Sequence, residues 1–235
     1  MGRIFETRKH VMFARFDKMS KAFTKFGREI AIAVKTGGED PDSNSKLRVI
    51  IQNAKGANMP KDRIMAAINR AASKDESNYS EVIYEAHAMK GVGLVIETAT
   101  DNPTRTVANI RMYLNRGGGE LGKSGALDFA FERKSIFVIN TEGINPEDLE
   151  LELIDFGLED IEIEGNEMVL TASFTNFGAM QKALEERHIN IISSELQRIP
   201  TSIIDVSEDE KNIVLALIEK LEDDDDIQRV FHNMS

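Results

Sequence analysis

Between Met12 and Ile30 the apolar residues Met12, Phe16, Met19, Phe23, Phe26 and Ile30 recur at alternating intervals of three and four. That is the period of one face of an α-helix. A second row, Lys18, Lys21, Lys25, Arg28 and Lys35, keeps nearly the same rhythm two residues later. Two residues turn a helix by about 200°, so the basic row lies opposite the apolar one. The spacing predicts a helix over 12–35 that packs on its own domain and presents its cations outward.

The charge balance says what those cations could meet. The 235-residue chain carries a net charge of −11, yet residues 1–75 hold 16 Lys and Arg against 8 Asp and Glu, leaving 13 against 32 in the remainder. A basic third on an otherwise acidic chain points to nucleic acid. The plain alternative is a basic surface turned toward the chain's own acidic parts. There is no cysteine, which excludes disulfides, thiol chemistry and Cys-ligated zinc. No apolar run approaches the roughly 20 residues of a membrane span, and no apolar signal segment follows the basic amino terminus. The expected setting is cytoplasmic, without a membrane partner.

Taken in order, Met1–His10 reads as a basic arm, and Gly37-Gly38 stops the long helix. The turn Glu39–Asp42 is expected to cap a second helix, about Ser43 to Ala57, and Pro60 opens a third, about Lys61 to Ala72. The polar stretch Lys74–Asn78 ends this helical part. Val82–Ala86 and Gly93–Thr98 are rich in β-branched residues and read as strands. Asp101-Asn102-Pro103 caps a helix to Arg116, and Leu127–Phe131 is expected to be a short strand.

From Lys134 the order becomes βαββαβ, with strands at Ser135–Ile139, Asp160–Glu164, Met168–Phe174 and Ile189–Ile199. That order is the ferredoxin-like, split βαβ arrangement. Ser207 and Glu210 form a capping box for a helix through Leu221, and Ile227–His232 is a strand. One helix and one strand cannot build a core of their own, so they are expected to complete the sheet begun at residues 82–131. The fold class is therefore α+β in three domains. A basic helical domain spans 1–75, a discontinuous α/β middle domain spans 76–133 with 203–235, and a ferredoxin-like α/β domain is inserted at 134–202.

Reactive constellations are not evident. His10, His87, His188 and His232 are scattered and lack metal-ligand spacing. Gly117–Gly122 matches GxGxxG, but it follows a helix and leads into an extended segment, the reverse of the dinucleotide fingerprint. The run Glu222–Asp226 does not reproduce an EF-hand loop and reads as a solvated turn. The expectation is a non-enzymatic protein with no cofactor and no metal.

A set of short motifs runs through the chain in order. They include Phe23-Thr-Lys25, Gly38-Glu-Asp-Pro-Asp-Ser-Asn44, Asn58-Met-Pro-Lys-Asp62 and Thr100-Asp-Asn102. Arg105-Thr-Val-Ala108, Gly118-Gly-Glu-Leu-Gly-Lys-Ser-Gly125 and Leu221-Glu-Asp-Asp-Asp-Asp-Ile-Gln228 follow. In these the sequence resembles the YebC/PmpR family, which includes the mitochondrial translational activator of cytochrome c oxidase subunit I. It departs from the family at Gly2-Arg-Ile-Phe-Glu6, where a Gly-His-Ser-Lys-Trp-like segment is common, and at Tyr84-Glu-Ala-His-Ala-Met89, where a glycine-rich run is common. The resemblance implies three domains with the last inserted into the second. It also implies either a DNA-binding transcriptional regulator or a ribosome-associated factor supporting translation.

The functional expectation is a nucleic-acid-binding regulator acting on DNA or ribosomal RNA, with the ribosome or the transcription machinery as partner. A protein–protein adaptor docking on an acidic partner is the alternative. The candidate phosphate contacts are Lys18, Lys21, Lys25, Arg28, Lys35, Lys46, Arg48, Lys55, Lys61, Arg63 and Arg105, which would give salt-dependent affinity with little base readout.

Overall fold

The computed structural model describes residues 19–73 and 78–235. The arm Met1–His10, Met12, Phe16 and Lys18 lie outside the described residues, as does most of the polar stretch after Ser73. The first helix, α1 (Met19–Gly37), packs against α2 (Ser45–Gly56) and α3 (Lys61–Ala72). Its buried Ile30, Ala33 and Val34 meet Leu47, Ile50 and Ala54 of α2 and Ile64, Ile68 and Ala71 of α3. The cap of α2 is Asn44, two residues beyond the turn expected to supply it. Its buried side chain accepts from the Leu47 N–H at 3.0 Å and donates to the Ala33 and Gly38 carbonyls at 2.8 Å. One amide thus ends α1 and starts α2, satisfying orphan groups of both.

The first sheet has the order β3-β1-β2-β8, formed by β1 (Ser80–His87), β2 (Gly93–Thr100), β3 (Glu120–Leu121) and β8 (Ile227–His232). Two helices cover one face, α4 (Pro103–Arg116) and α7 (Glu208–Glu222). Ala86, Leu94 and Ile96 meet Ile110 and Leu114 of α4 and Val214, Leu217 and Leu221 of α7 there. Ser207 and Glu210 form the full capping box of α7. The glycines after α4 serve close packing: a Cβ on Gly119 would lie 2.8 Å from the His87 carbonyl.

The second sheet spans residues 131–200 in the order β5-β6-β4-β7, with every neighbouring pair antiparallel. Its strands are β4 (Phe131–Asn140), β5 (Leu158–Glu164), β6 (Glu167–Ser173) and β7 (Ile191–Pro200). With α5 (Pro146–Leu153) and α6 (Phe177–Glu186) on one face, this is the ferredoxin-like βαββαβ unit. Leu127–Phe131 is not a strand. Residues 128–130 form a 3₁₀ turn and β4 opens at Phe131. The cause is the buried Glu85, whose carboxylate accepts from the Gly125 and Leu127 N–H groups at 2.9 and 2.6 Å. Those donors are taken before a sheet could use them.

Polar contacts join the helical part to the second sheet. The Asn53 side chain donates to the Ser194 carbonyl at 2.6 Å and accepts from the Ser194 N–H at 2.9 Å, while Gln52 donates to the Ile191 carbonyl at 2.7 Å. The register of β7 shifts at this point, and Gly56 passes so close that a Cβ would sit 2.7 Å from the Ile192 carbonyl. Asn53 therefore acts like a strand residue pairing with an irregular edge. Asn53→Ala is expected to lower unfolding stability by about 1–3 kcal/mol, because two backbone groups lose their partner. Chemical denaturation measures the loss, and faster amide exchange at Ser194 locates it.

Candidate nucleic-acid interface

The basic row of α1 does not look out into open solvent. Lys21 donates to the Asp223 carbonyl and carboxylate at 3.0 and 3.1 Å. Lys25 donates to the Glu222 and Gln228 carbonyls at 3.0 and 3.4 Å. Arg28 reaches the Ala99 carbonyl at 2.9 Å and the Asp226 carboxylate. The last carbonyls of a helix have no intrahelical donor and carry its negative dipole end. Lys21 and Lys25 supply both needs for α7, from a helix at the other end of the sequence.

Asp226 is the centre of this contact. It is 3% exposed. Its carboxylate accepts from Arg28, from Arg105 Nη2 at 2.8 Å, from the Thr106 hydroxyl at 2.7 Å and from the Thr100 hydroxyl at 3.2 Å. Its own carbonyl accepts from the Ala99 N–H at 2.8 Å. Burial pushes the carboxyl's pKa upward, but the hydrogen bonds from Arg105, Arg28 and Thr106 prevail and hold it below the ordinary carboxylate value. The same bond, with one to Asp101, raises the Arg105 guanidinium further above its usual range. Asp224 is engaged as well, accepting from Asn109 at 3.0 Å and Tyr113 at 3.3 Å. The run Glu222–Asp226 is thus no solvated turn; within it only Asp225 is exposed. A string of carboxylates reads alike in a sequence whether water or arginine receives it.

The remaining candidates divide by what they touch. Lys35 is exposed and donates to Asn78 at 2.7 Å, and Lys46 pairs with Glu81 at 2.7 Å. Arg48 donates to the Pro41 carbonyl at 3.1 Å and lies 3.7 Å from Glu185. Lys55, Lys61 and Arg63 are exposed, and their side chains make no hydrogen bond or ion pair among the described residues. Arg70 shares that state and was not among the eleven candidate contacts. Its signal is the spacing Arg63, Ala66, Ala67, Arg70 on one helix face. Two arginines about 10 Å apart along α3 flank a floor of alanines, beside a groove of about 440 Å³ that Phe23, Gly27 and Tyr79 also line. The Arg28 guanidinium lies over the Tyr79 ring, 5.2 Å from its centroid.

Four residues connect α2 to α3, the length of a helix-turn-helix connection. Among the described residues no group of three or more His, Asp or Glu side chains could hold a metal ion, and no helix is long and apolar enough to cross a membrane.

Asp226 makes stability depend on acid. Its folded pKa lies below the ordinary value of about 3.8. Its contribution is therefore complete above that value and is lost as pH falls through the depressed one. Asp226→Ala is expected to cost about 3–5 kcal/mol at neutral pH, since two guanidinium groups lose a buried partner. Thermal melts from pH 7 to pH 2 check this: the wild type's advantage over the variant should hold down to about pH 3.8 and shrink below it.

Two family models cover nearly all of the chain. The TACO1/YebC protein N-terminal domain matches residues 3–74, and the TACO1/YebC second and third domain matches residues 79–234. A probable transcriptional regulatory protein of Cytophaga hutchinsonii is 52% identical over 235 residues, covering 100% of this chain and 99% of that one. A protein of the same description from Parabacteroides distasonis is 49% identical, covering 100% and 97%. Among solved structures, a conserved hypothetical protein of Aquifex aeolicus superposes with a TM-score of 0.80 at 31% identity, over 93% of this chain and 90% of that one. Motifs, fold and relatives agree, and the chain belongs to the TACO1/YebC family.

Proposed function

We propose that this protein is a non-enzymatic, cytoplasmic regulator of gene expression that binds DNA through its helical domain, with α3 as the helix laid against the phosphates. The observation that carries this is the set of cations Lys55, Lys61, Arg63 and Arg70 on α2 and α3, which have no side-chain partner among the described residues. Lys61 and Arg63 stand in the first turn of α3, where the helix dipole also favours a phosphate. The relatives' description as probable transcriptional regulatory proteins supports a regulatory role. The acidic remainder of the chain repels the duplex, so contact is confined to this face.

Lys46, Arg48 and Lys35 would add charge at the margin of that face. Lys21, Lys25, Arg28 and Arg105 would contact phosphate only after leaving the Glu222–Asp226 turn, to which they are now bonded. In the closed arrangement their role is to hold the helical domain in place.

A second reading, association with the ribosome through ribosomal RNA, is favoured by the groove beside α3. Its Phe23 and Tyr79 are the kind of surface on which an unpaired base stacks. The two readings share α3 and differ in the ligand.

Arg63→Ala with Arg70→Ala is expected to weaken nucleic-acid binding about equally for all sequences. The slope of log K against log salt should become shallower by about one for each cation removed. Titrations of duplex DNA and of ribosomal RNA fragments over a salt series measure this. An unchanged slope for both ligands would refute the assignment of α3, and the ligand with the larger affinity selects between the readings.

A further inference from the structure

Gly27 stands in the middle of α1, where a glycine costs helix stability relative to alanine. Neither of the usual reasons for a glycine applies to it. Its φ is not positive, and among the described residues a Cβ there would meet nothing within 4 Å. At Gly56 and Gly119, by contrast, a Cβ would lie 2.7 and 2.8 Å from a neighbouring carbonyl oxygen. Gly178 is as unhindered as Gly27, but it is the second residue of α6 rather than its middle. Gly27 also lines the groove of about 440 Å³ between α1 and α3, across from Ala66 and Ala67. What the glycine supplies is room on that side of the helix.

The lining says what the room would hold. On a chain of net charge −11, no acidic side chain lines this groove among the described residues. Arg63 and Arg70 line it, exposed and without a side-chain partner among the described residues. Phe23, Met59 and the two alanines form its apolar part. Arg28 completes the wall, its guanidinium over one face of the Tyr79 ring. An occupant should therefore be anionic and also carry a flat apolar part. An unpaired nucleotide has both, since its base stacks on aromatic rings and guanidinium planes while its phosphate meets arginine. A base inside a duplex is already stacked and cannot enter a pocket. We propose that the groove takes one unpaired nucleotide, its base against Phe23 and Gly27 and its phosphates at Arg63 and Arg70, and that Gly27 is the residue that admits it. This rests on nucleic-acid binding through α3 and adds to it a preference for bulged or single-stranded sites over continuous duplex.

The test uses the full chain and a short duplex made with and without one unpaired adenosine, as DNA and as RNA. In the nucleic acid it binds better, the wild type is expected to hold the bulged form about tenfold more tightly, the gain from stacking one base. Gly27→Ala should raise the thermal midpoint by about 2–4 °C and reduce that preference, and Gly27→Leu should abolish it. Binding of the fully paired duplex should stay at the wild-type level in both variants. A more stable protein that loses only the bulge preference is not a misfolded one. Equal binding of bulged and paired duplexes by the wild type would overturn the proposal and leave the groove to a protein occupant. An unchanged preference in Gly27→Leu would overturn it too. Failure of every duplex to bind would instead refute the nucleic-acid reading on which it rests.

Discussion

A carboxylate that is 3% exposed stays ionised only where other groups replace water. For Asp226 those groups come from three places in the chain: Arg28 of α1, Thr100 at the end of β2, and Arg105 with Thr106 of α4. Two guanidinium groups sharing one carboxylate leave no excess negative charge, and the hydroxyls occupy its remaining lone pairs. The position of α1 on the first sheet follows from this group more than from any surface pair. Lys46–Glu81, by comparison, is exposed at both ends and contributes little.

The apolar contacts tell the complementary story. The helical part, the first sheet and the second sheet each keep a separate apolar cluster. Apart from Phe131 at the start of β4, which packs with Val95, Leu127 and Phe231, the contacts that cross are polar: the α1 cations on the turn after α7, Asn53 on β7, and Arg229 between Glu29 and Glu195 at 3.5 and 3.7 Å. Burial opposes the charge on Arg229, and the carboxylates of Glu195 and Glu29 outweigh it, so its pKa is raised. Such joints fix orientation without merging cores, and they separate at less cost than a core does.

Much of the fold was legible because its signals are local. The apolar spacing around Ile30, the capping box at Ser207 and the βαββαβ order can each be read within a few residues. The errors came where a distant group intervened. Glu85 takes the amides of residues 125 and 127, so a stretch that alternates like a strand forms a turn instead. Arg28 and Asp226 lie 198 residues apart, and no periodicity links them. The candidate interface was legible in composition, since charge is a property of the sequence. It was not legible in geometry, because whether a lysine faces solvent or a neighbouring helix end depends on packing. Lys61 and Lys25 look equivalent on paper; the fold leaves one open and binds the other.

The pairing of β2 with β8 has a consequence for the order in which the molecule can be made. Leu94 stands opposite His232, so the first sheet stays open along one side until β8 has emerged from the synthesising ribosome. The second sheet, closed within residues 131–200, can form earlier in vectorial synthesis. The Glu222–Asp226 turn immediately precedes β8. Lys21, Lys25 and Arg28 are therefore made 202, 197 and 198 residues before the groups of that turn to which they bond. Over that interval the nascent chain carries Lys21 and Lys25 without the helix end that receives them.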